Sequence, residues 1–533
     1  MPKPHLRYDW SAGSARAVAP DVSQIRASMG FDATRNTRRM ARVPISSQHT
    51  NSYLTSEGTR LRARAEDAAR NNAYVTSAAD SFTANLIGTG IKPSFLIKAV
   101  AKKREVQQLW ADWTDEADAE GITDYYGLQA LIGRALFSQG EIFARFRPRR
   151  FDEGYTVPLQ IQLIPAAMVP IDLNRTEPTG RVTRMGIEFN QIGQRTAYWC
   201  YRNHPNDSTV PFDANTAELV PVPASEIMHI YWPGDPGQIR GTPKSASSIV
   251  RLFLLDSYDD HELERKRTAA LFTSFVTKTT PTEAVFGEQD VAANAGVPDG
   301  FNMGSHAGAG GLEDPVAYLA PGMLHYLLPG ESVENAAPAD VGNSYEPFQY
   351  RNLTAAASGM GVPYAKMTGD LKGTSYGSQR AADLEFRRRL EQLQWGSVIY
   401  QFCRPVVQRW LDTAVLSRAI NLRNYAERRR EYVRVKHITP AWPWIDPLKD
   451  MQAEQIAVKE RWKARADVIE ATGFDAEEVD ERIKADQTRE TDLGIVVPRP
   501  DAPPAISGAP APPQGAEPEP EQEQASARRQ EAA

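Results

Sequence analysis

Residues 241–276 read GTPKSASSIVRLFLLDSYDDHELERKRTAALFTSFV, and this stretch decides how the rest of the chain has to be arranged. Thr242 is a favourable N-cap, Pro243 suits the first helical position, and neither Pro nor Gly follows until Pro281. The pattern predicts a helix over 244–276, roughly 50 Å long at 1.5 Å per residue. A helix of that length is typical of a stem or shaft, so the compact body must be built from segments on both sides of it.

Two different patterns precede this helix. From about Leu61 to Ile87, apolar residues recur at steps of three and four until Gly88, which predicts a helix. Residues 140–235 alternate apolar and polar side chains instead, as in LQIQLI from Leu159, and Pro, Gly and Asn separate the runs. We therefore expect helices followed by a mostly β region.

Helical patterns return on the other side, after a stretch at 280–340 that is rich in Gly, Pro and Ala. One helix is expected near 344–360, and a long one near 379–418, in which Pro405 should produce a kink or a break. Further short helices follow Pro447. The order of helical and β segments predicts an α+β fold.

The two ends of the chain differ in charge. Residues 1–50 carry eight Lys or Arg against three Asp and few large apolar residues, so we interpret 1–60 as a basic arm. Residues 495–533 are rich in Pro, Glu and Ala, a composition that cannot bury enough apolar surface to offset the entropy of ordering. We expect that tail to be disordered.

The overall composition narrows the classes of function. The 533 residues include 61 Lys or Arg and 67 Asp or Glu, a net charge of -6, so any contact with nucleic acid must be local. Two cysteines are too few for a disulfide framework, and the eight scattered histidines lack the spacing of metal ligands, so no metal or other cofactor is expected. No apolar run is long enough for a signal peptide or a membrane span, which favours an intracellular site of assembly.

One motif suggests an enzyme. Residues 373–377, GTSYG, fit the G-x-S-x-G nucleophile elbow with Ser375 as the nucleophile, and HAGAGG at 306–311, Asp412 and His437 would complete a serine hydrolase. The elbow requires a buried strand directly before it, whereas the preceding residues KMTGDLK are polar. A loop hinged by glycines is therefore favoured, and the hydrolase is retained as the alternative function.

The basic residues divide into two groups. The triplets at 387–389 and 428–430 have acidic neighbours, so ion-paired surfaces or subunit contacts are favoured over phosphate binding. Lys366, Lys372 and Arg380 bracket the Gly-containing loop instead. Mobile positive charges on such a loop could make weak phosphate contacts that do not depend on base sequence.

From about residue 60 to 494, the sequence resembles a known family, the lambda-type portal proteins of tailed bacteriophages. Tyr376, Ser378 and Arg380 match a Y-S-S-x-R signature of that family, from which Gly377 departs. Seven segments carry the resemblance in the family's order: RARAEDAARNNAYVTSAADSFTANLIGTGIKP (62–93), LWADWTDEADAEG (109–121), ALFSQGEIFARF (135–146), LQIQLIPAAMV (159–169), ASEIMHIYWPGDPGQIRGTPKSAS (224–247), GMGVPYAKMTGDLKGTSYGSQRAADLEFRR (359–388) and WPWIDPLKDMQAEQIAVKERWKARADVIEATGFDAEEVDERI (442–483).

The resemblance implies a portal-type fold with long stem helices, a mixed α/β wing, a small α/β clip and a helical crown. Between the arm and the tail, the implied division is a wing at 61–243, a stem helix at 244–276, a clip at 277–343, a second stem helix at 344–361, a tunnel loop at 362–378, a long wing helix with its return at 379–440 and a crown at 441–494.

The resemblance also implies a function without catalysis. It predicts a homo-oligomeric ring of twelve copies at one capsid vertex of the virion, assembled in the host cytoplasm. Double-stranded DNA would pass non-specifically through the ring in packaging and ejection, and Lys366, Lys372, Ser375, Tyr376 and Arg380 are the candidate residues facing that channel. The implied partners are the large subunit of terminase, a head-tail adaptor, and the major capsid and scaffold proteins, with no membrane. A separate scaffold or baseplate component is a weaker third alternative.

Overall fold

The structure is a computed structural model that describes residues 5–9, 14–18, 48–178, 180–209, 218–270, 274–278, 331–335, 345–373, 375–442 and 447–494. The helices in these residues are α1 Thr50–Asn71, α2 Ala73–Ile87, α3 Val100–Thr114, α4 Tyr125–Ser138, α5 Ile249–Ala270, α6 Tyr345–Met360, α7 Tyr364–Thr368, α8 Tyr376–Leu393, a π-helical segment Gln394–Cys403, α9 Arg404–Leu416, α10 Tyr425–Tyr432, α11 Pro447–Lys459, α12 Arg465–Ala471 and α13 Ala476–Asp492.

All the strand pairs that the structure describes are antiparallel. The strands are β1 His5–Asp9, β2 Ser14–Val18, β3 Lys92–Phe95, β4 Glu141–Pro148, β5 Leu159–Ile164, β6 Arg175–Thr176, β7 Val182–Arg184, β8 Ile187–Phe189, β9 Arg195–Tyr201, β10 Leu219–Pro223, β11 Ile227–Tyr231, β12 Ser274–Lys278, β13 Glu331–Asn335 and β14 Val435–Ile438. They form a five-stranded sheet β10-β9-β8-β7-β6, a three-stranded sheet β11-β4-β5, and the pairs β1-β2, β12-β13 and β14-β3. The expected β-rich region between 140 and 235 and the α+β class are confirmed.

The larger hydrophobic core joins distant parts of the chain. Trp110 of α3 packs edge-on against Trp410 of α9, with ring centroids 4.9 Å apart, and Tyr125 of α4 stacks on Phe402 at 5.7 Å. The Nε1 of Trp113 donates to the carbonyl oxygen of Leu159, 2.7 Å away, which ties this aromatic cluster to β5. The body is therefore assembled from non-contiguous segments, as the position of the long helix predicted.

The first helix begins earlier than predicted and is divided. It starts at Thr50, within the segment interpreted as an arm, because His49 caps it and Leu54 is buried. Asn72 then separates α1 from α2: its backbone N–H bonds the carbonyl of Ala68, and its side chain accepts from the N–H of Val75. The Asn72 side chain thus caps α2, and the continuous helix expected over 61–87 is divided at this residue.

The helix expected over 244–276 is shorter at both ends. Residues 244–248 form turns, in which the N–H of Lys244 donates to the carbonyl of Phe137 and the hydroxyl of Ser248 to that of Ala356. The helix therefore begins at Ile249, and Thr242 is not its N-cap. At the other end, Ser274–Lys278 is a strand paired with Glu331–Asn335. The 22 residues of α5 extend for roughly 33 Å at 1.5 Å per residue.

α5 packs antiparallel to α6, which agrees with the helix predicted at 344–360. Ser248 near one end of α5 bonds Ala356 near the far end of α6, with 2.8 Å between the oxygens. Tyr258 further along α5 lies against Tyr345 and Phe348 at the start of α6. α5 and α6 are therefore in contact along most of their length.

Pro405 does not break the long helix at 379–418. The segment before it is π-helical, and the N–H of Arg404 donates to the carbonyl of Ile399, five residues earlier. Pro405 follows at the start of α9, where the hydrogen-bond spacing returns to that of an α-helix, so its missing N–H coincides with the change of helix type. The predicted division of the helix at Pro405 is therefore wrong, and a change from π-helix to α-helix occurs there instead.

Several sequence predictions lie outside the described residues. These are most of the arm, most of the clip at 277–343 and the tail at 495–533. Within the described part of the chain, every helix is too short or too polar to cross a lipid bilayer.

Candidate functional site

The Gly-containing loop begins where α6 ends. α7 follows Pro363, its Met367 is buried, and Gly369 ends it in the left-handed conformation at φ 72°. The N–H of Lys372 donates to the Asp370 carboxylate at 2.9 Å, and Gly373 has a φ of 71°. The loop at 362–378 thus contains a helical turn and an ordered turn.

Lys366 lies on α7 and is partly neutralised. Its Nζ is 3.4 Å from the carboxylate of Asp383 on α8, and 30% of the side chain is exposed. It also lies over the ring of Phe386, 6.0 Å from the centroid, and at the rim of an open groove that includes Arg70. Arg70 was not predicted from the sequence, because a single Arg on an amphipathic helix gives no signal of a shared groove.

Lys372 and Arg380 differ in their surroundings. Lys372 is exposed, and among the described residues no carboxylate pairs with its ammonium group. The guanidinium of Arg380 is 3.3 Å from the carboxylate of Asp450 on α11, with 38% of its side chain exposed. Of the three predicted cations, Lys372 is therefore the most available to a phosphate.

Ser375 is the N-cap of α8. Its Oγ accepts from the backbone N–H of Ser378 at 3.2 Å and bonds the Ser378 hydroxyl at 3.1 Å. Tyr376 is the first residue of the helix. This capping explains why Ser is favoured here, because a Ser side chain satisfies an N–H that the first helical turn leaves free.

Among the described residues, no hydrogen bond joins Ser375, Asp412 and His437 of the hydrolase alternative. The segment before Ser375 is helix and turn rather than a strand. Both carboxylate oxygens of Asp412 bind Arg429, at 2.6 and 2.7 Å, and both ring nitrogens of His437 lack a hydrogen-bond partner. Residues 306–311 lie outside the described chain. The described residues before Ser375 therefore do not provide the buried strand that a nucleophile elbow requires, and the structure gives the hydrolase alternative no support.

The basic triplets form contacts within the chain, as favoured from the sequence. Arg389 pairs with Glu385 at 3.3 Å, and the guanidinium of Arg387 lies 5.2 Å from the ring of Trp442. Arg428 pairs with Glu431 at 2.7 Å. Most of the guanidinium groups described here are therefore engaged in contacts within the chain's own surface.

A buried ionic network was not predicted from the sequence. The carboxylate of Glu141 accepts from Arg62 at 2.6 Å, from Arg240 at 2.8 Å and from the backbone N–H of Gly241 at 2.8 Å. Arg62 and Arg240 donate to Oε1 at these distances, and the Oε2 that accepts from Gly241 also lies 2.9 Å from the Nε2 of His229. Burial alone would raise the pKa of Glu141, but the two guanidinium groups and His229 lower it well below its ordinary value. Glu141 therefore stays ionised.

His229 lies in the apolar strand β11 and is a hydrogen-bonded core residue. Its Nδ1 lies 3.1 Å from Arg195 and its ring stacks on Phe143 at 4.3 Å. Burial lowers the pKa of His229 to about 4, although Glu141 opposes that shift. The imidazole is neutral at physiological pH and holds strands together rather than transferring protons.

The described residues contain no group of three or more His, Cys, Asp or Glu side chains placed to hold a metal ion. The two cysteines, Cys200 and Cys403, are buried and unpaired. Burial raises the pKa of Cys403 to about 12, so its thiol stays protonated.

Comparison with known proteins identifies the family. The sequence pattern described as "Phage portal protein, lambda family" matches residues 36–394. The chain belongs to this family. Named relatives match over most of their own length: the probable portal protein of Halomonas phage phiHAP-1 is 24% identical over 82% of this chain and 81% of its own, and portal protein B of Escherichia phage lambda is 22% identical over 84% and 86%. The portal protein of Escherichia phage N15 is 22% identical over 76% and 79%.

Solved structures that contain a similar chain come from gene transfer agent (GTA) particles. A chain from the neck of the native particle, computed with C12 symmetry, is 12% identical with a TM-score of 0.35, over 78% of this chain and 100% of that one. A chain from the virion of the native particle is 12% identical with a TM-score of 0.36, over 70% and 93%.

Proposed function

We propose that this portal-family chain assembles into a ring of twelve copies at one vertex of a bacteriophage capsid, as a component of the virion. Double-stranded DNA would enter the capsid through the ring during packaging and leave through it at ejection. The observation that carries the proposal is the family match over residues 36–394. A ring of identical subunits requires a heterologous contact that closes on itself.

Exposed apolar side chains on the stem helices support self-assembly. On α5, Val250, Phe253 and Leu254 are 65%, 69% and 61% exposed, and their spacing of three and four places them on one face. On α6, Phe348 and Tyr350 are about half exposed. A single chain leaves this surface in water, whereas a neighbouring copy would cover it.

The charge distribution supports passage of a duplex rather than tight binding. The chain has a net charge of -6, and Lys366 and Arg380 of the tunnel loop region are already paired with carboxylates. Lys372 is left as an exposed cation. Isolated positive charges give weak, salt-dependent contacts to phosphates at any base sequence, and such contacts do not stop a moving duplex.

The partners follow from the proposed position at a capsid vertex. The clip at 277–343 would bind the large subunit of terminase during packaging and a head-tail adaptor afterwards. The outer surface would contact the major capsid and scaffold proteins during assembly in the host cytoplasm. None of these roles requires a catalytic residue in this chain.

The assembly is tested by light scattering on the purified full-length chain. A ring of twelve subunits of 59.1 kDa has a mass of roughly 700 kDa. A species of that order at micromolar concentration supports the proposal, whereas a 59.1 kDa monomer would exclude self-assembly into a ring under those conditions.

A further inference from the structure

The C-terminal helices α11, α12 and α13 are set apart from the rest of the chain. We call residues 447–494 the C-terminal unit and residues 48–442 the body. Within the described residues, no side chain of the unit belongs to either hydrophobic cluster, and Ala476 is the one buried residue of the unit. The unit is therefore not held on the body by a shared apolar core.

Charged contacts hold the unit on the body instead. The ammonium group of Lys103 on α3 is 2.7 Å from the carboxylate of Glu477 and 4.0 Å from that of Asp475. Arg104, the next residue of α3, pairs through both its Nε and its Nη2 with Glu481, which lies four residues after Glu477 on α13. These contacts join successive turns at the start of α13 to one surface of α3.

Two further ion pairs lie at other places on the unit. Lys436 of β14 pairs with Glu470 of α12, and Arg380 of α8 is 3.3 Å from Asp450 of α11. In the five ion pairs described between the two parts, the body supplies the cation and the unit supplies the carboxylate. α13 alone carries seven Asp or Glu against three Lys or Arg, so an acidic unit covers a basic surface of the body.

The contact is also incompletely packed. A cavity of about 490 Å³ lies between the two parts, lined by Phe95, Trp110 and Tyr126 of the body and by Phe474 and Asp475 of the unit. Phe474 is 45% exposed, and the Oδ2 of Asp475 has no hydrogen-bond partner although it is buried. An interface with this gap lacks the close apolar packing that would make it insensitive to salt.

We propose that the C-terminal unit is held on the basic surface of the body by a reversible electrostatic latch, which opens while the body remains folded. Most of the paired side chains are partly exposed to solvent, as for Arg104 and Glu481 at 61% and 51%. Exposed ion pairs are weak individually and are screened as the Debye length falls from about 30 Å at 0.01 M salt to about 3 Å at 1 M. Opening uncovers Lys103, Arg104 and Lys436 together. This inference does not depend on the proposed function.

Hydrogen-deuterium exchange of the full-length chain tests the latch. Exchange is compared at about 0.02 M and about 0.5 M NaCl, and we expect the amides of 465–492 to exchange roughly tenfold faster at the higher concentration. The amides of α9 in the aromatic core should keep their rates. Equal rates for 465–492 at both salt concentrations, or acceleration of α9 in parallel with them, would overturn the proposal.

Variants of α13 separate the latch from the stability of that helix. The pair Glu477→Gln and Glu481→Gln removes two charges that contact the body, and it should accelerate exchange of 465–492 at low salt. The matched control is Glu478→Gln with Asp486→Asn, which removes two charges from the same helix but breaks pairs with Arg482 and Arg489 inside α13. The latch is refuted if the control accelerates exchange of 465–492 as much as the first variant does.

Discussion

Glu141 and Arg240 form an ion pair, with 2.7 Å between the nearest oxygen and nitrogen, although neither side chain exposes any surface to solvent. Arg240 also donates to the carbonyl oxygens of Met185 at 2.6 Å and Val169 at 3.0 Å. Arg62 of α1 binds the same carboxylate. The pair therefore fastens α1, the three-stranded sheet and the segment before α5 at one point.

Replacing Glu141 by Gln should strongly destabilise the chain. The substitution leaves the buried guanidinium groups of Arg62 and Arg240 without a counter-charge, and breaking a buried pair in this way costs about 3–5 kcal/mol. The free energy of unfolding in urea measures the effect. Glu226→Gln is the control, since it removes the partly exposed partner of Arg145 and should cost less than about 1 kcal/mol. Equal losses for the two variants would contradict the role given to the buried pair.

The stability of the fold should fall as the pH drops from about 6.5 towards 4. Burial lowers the pKa of His229 to about 4 in the folded chain, so the unfolded chain binds more protons in this range. The loss reaches about 3 kcal/mol at pH 4 for one such group. The pKa of His437 is also lowered to about 4, by burial and by Arg404, so two residues contribute. Glu141, whose pKa is depressed, adds a loss only below its ordinary value of 4.5.

Urea unfolding between pH 7.5 and pH 5 measures this dependence. The variant His229→Asn should show about half of the wild-type slope of unfolding free energy against pH, because His437 still contributes. A slope that is unchanged in this variant would show that His229 is not the source of the effect.

The ionic network around Glu141 could not be predicted from the sequence. The patterns between residues 140 and 235 predicted a β region there, which contains β4 and β11. Nothing in the local pattern places Arg62 and Arg240, 178 positions apart in the sequence, on the same carboxylate. This contact depends on how α1 packs against the sheet. The periodicity of apolar residues in a single sequence does not reveal that packing.

Lys372 should contribute more to contact with DNA than Lys366 does. Lys372 is exposed and unpaired among the described residues, whereas Lys366 is paired with Asp383. We expect Lys372→Gln to weaken the binding of duplex DNA to the assembled protein. The variant should also reduce the slope of the logarithm of DNA affinity against the logarithm of salt concentration, and Lys366→Gln should change both quantities less.

A titration of assembled protein with duplex DNA at several salt concentrations measures the slopes. Lys98→Gln removes one exposed charge at a distance from the loop in sequence and serves as the control. If Lys372→Gln and Lys98→Gln change the slope equally, the loop at 362–378 has no special role in contacting DNA. If replacing both Lys366 and Lys372 with Ala leaves packaging and DNA retention unchanged in an infectivity assay, their contact role is lost.

The apolar face of α5 should be required for self-assembly. Replacing Phe253 and Leu254 by Gln removes apolar side chains that are more than half exposed in the single chain, so it should shift the equilibrium from the large assembly to smaller species without unfolding the chain. Sedimentation velocity together with circular dichroism measures both effects. Leu416→Gln changes an equally exposed residue at the end of α9 and should leave the assembly intact. Loss of assembly in both variants, or in neither, would contradict the assignment of this face.

Helix ends were predicted less well than helix positions, for local reasons. α6 follows its predicted bounds closely, whereas α5 starts at Ile249 because the residues before it form hydrogen bonds to α4 and α6. Thr242 and Pro243 have the residue types of a helix start, but these tertiary contacts override their preference. Ser375 shows the opposite case, since its capping role could have been inferred from Ser at the beginning of a helical pattern.

Electron microscopy of the purified full-length chain tests the central claim most directly. The account predicts closed rings with twelve-fold symmetry and a central channel wide enough for a duplex of roughly 20 Å. Single globular particles of one subunit, or rings whose centre is closed to a duplex, would contradict it.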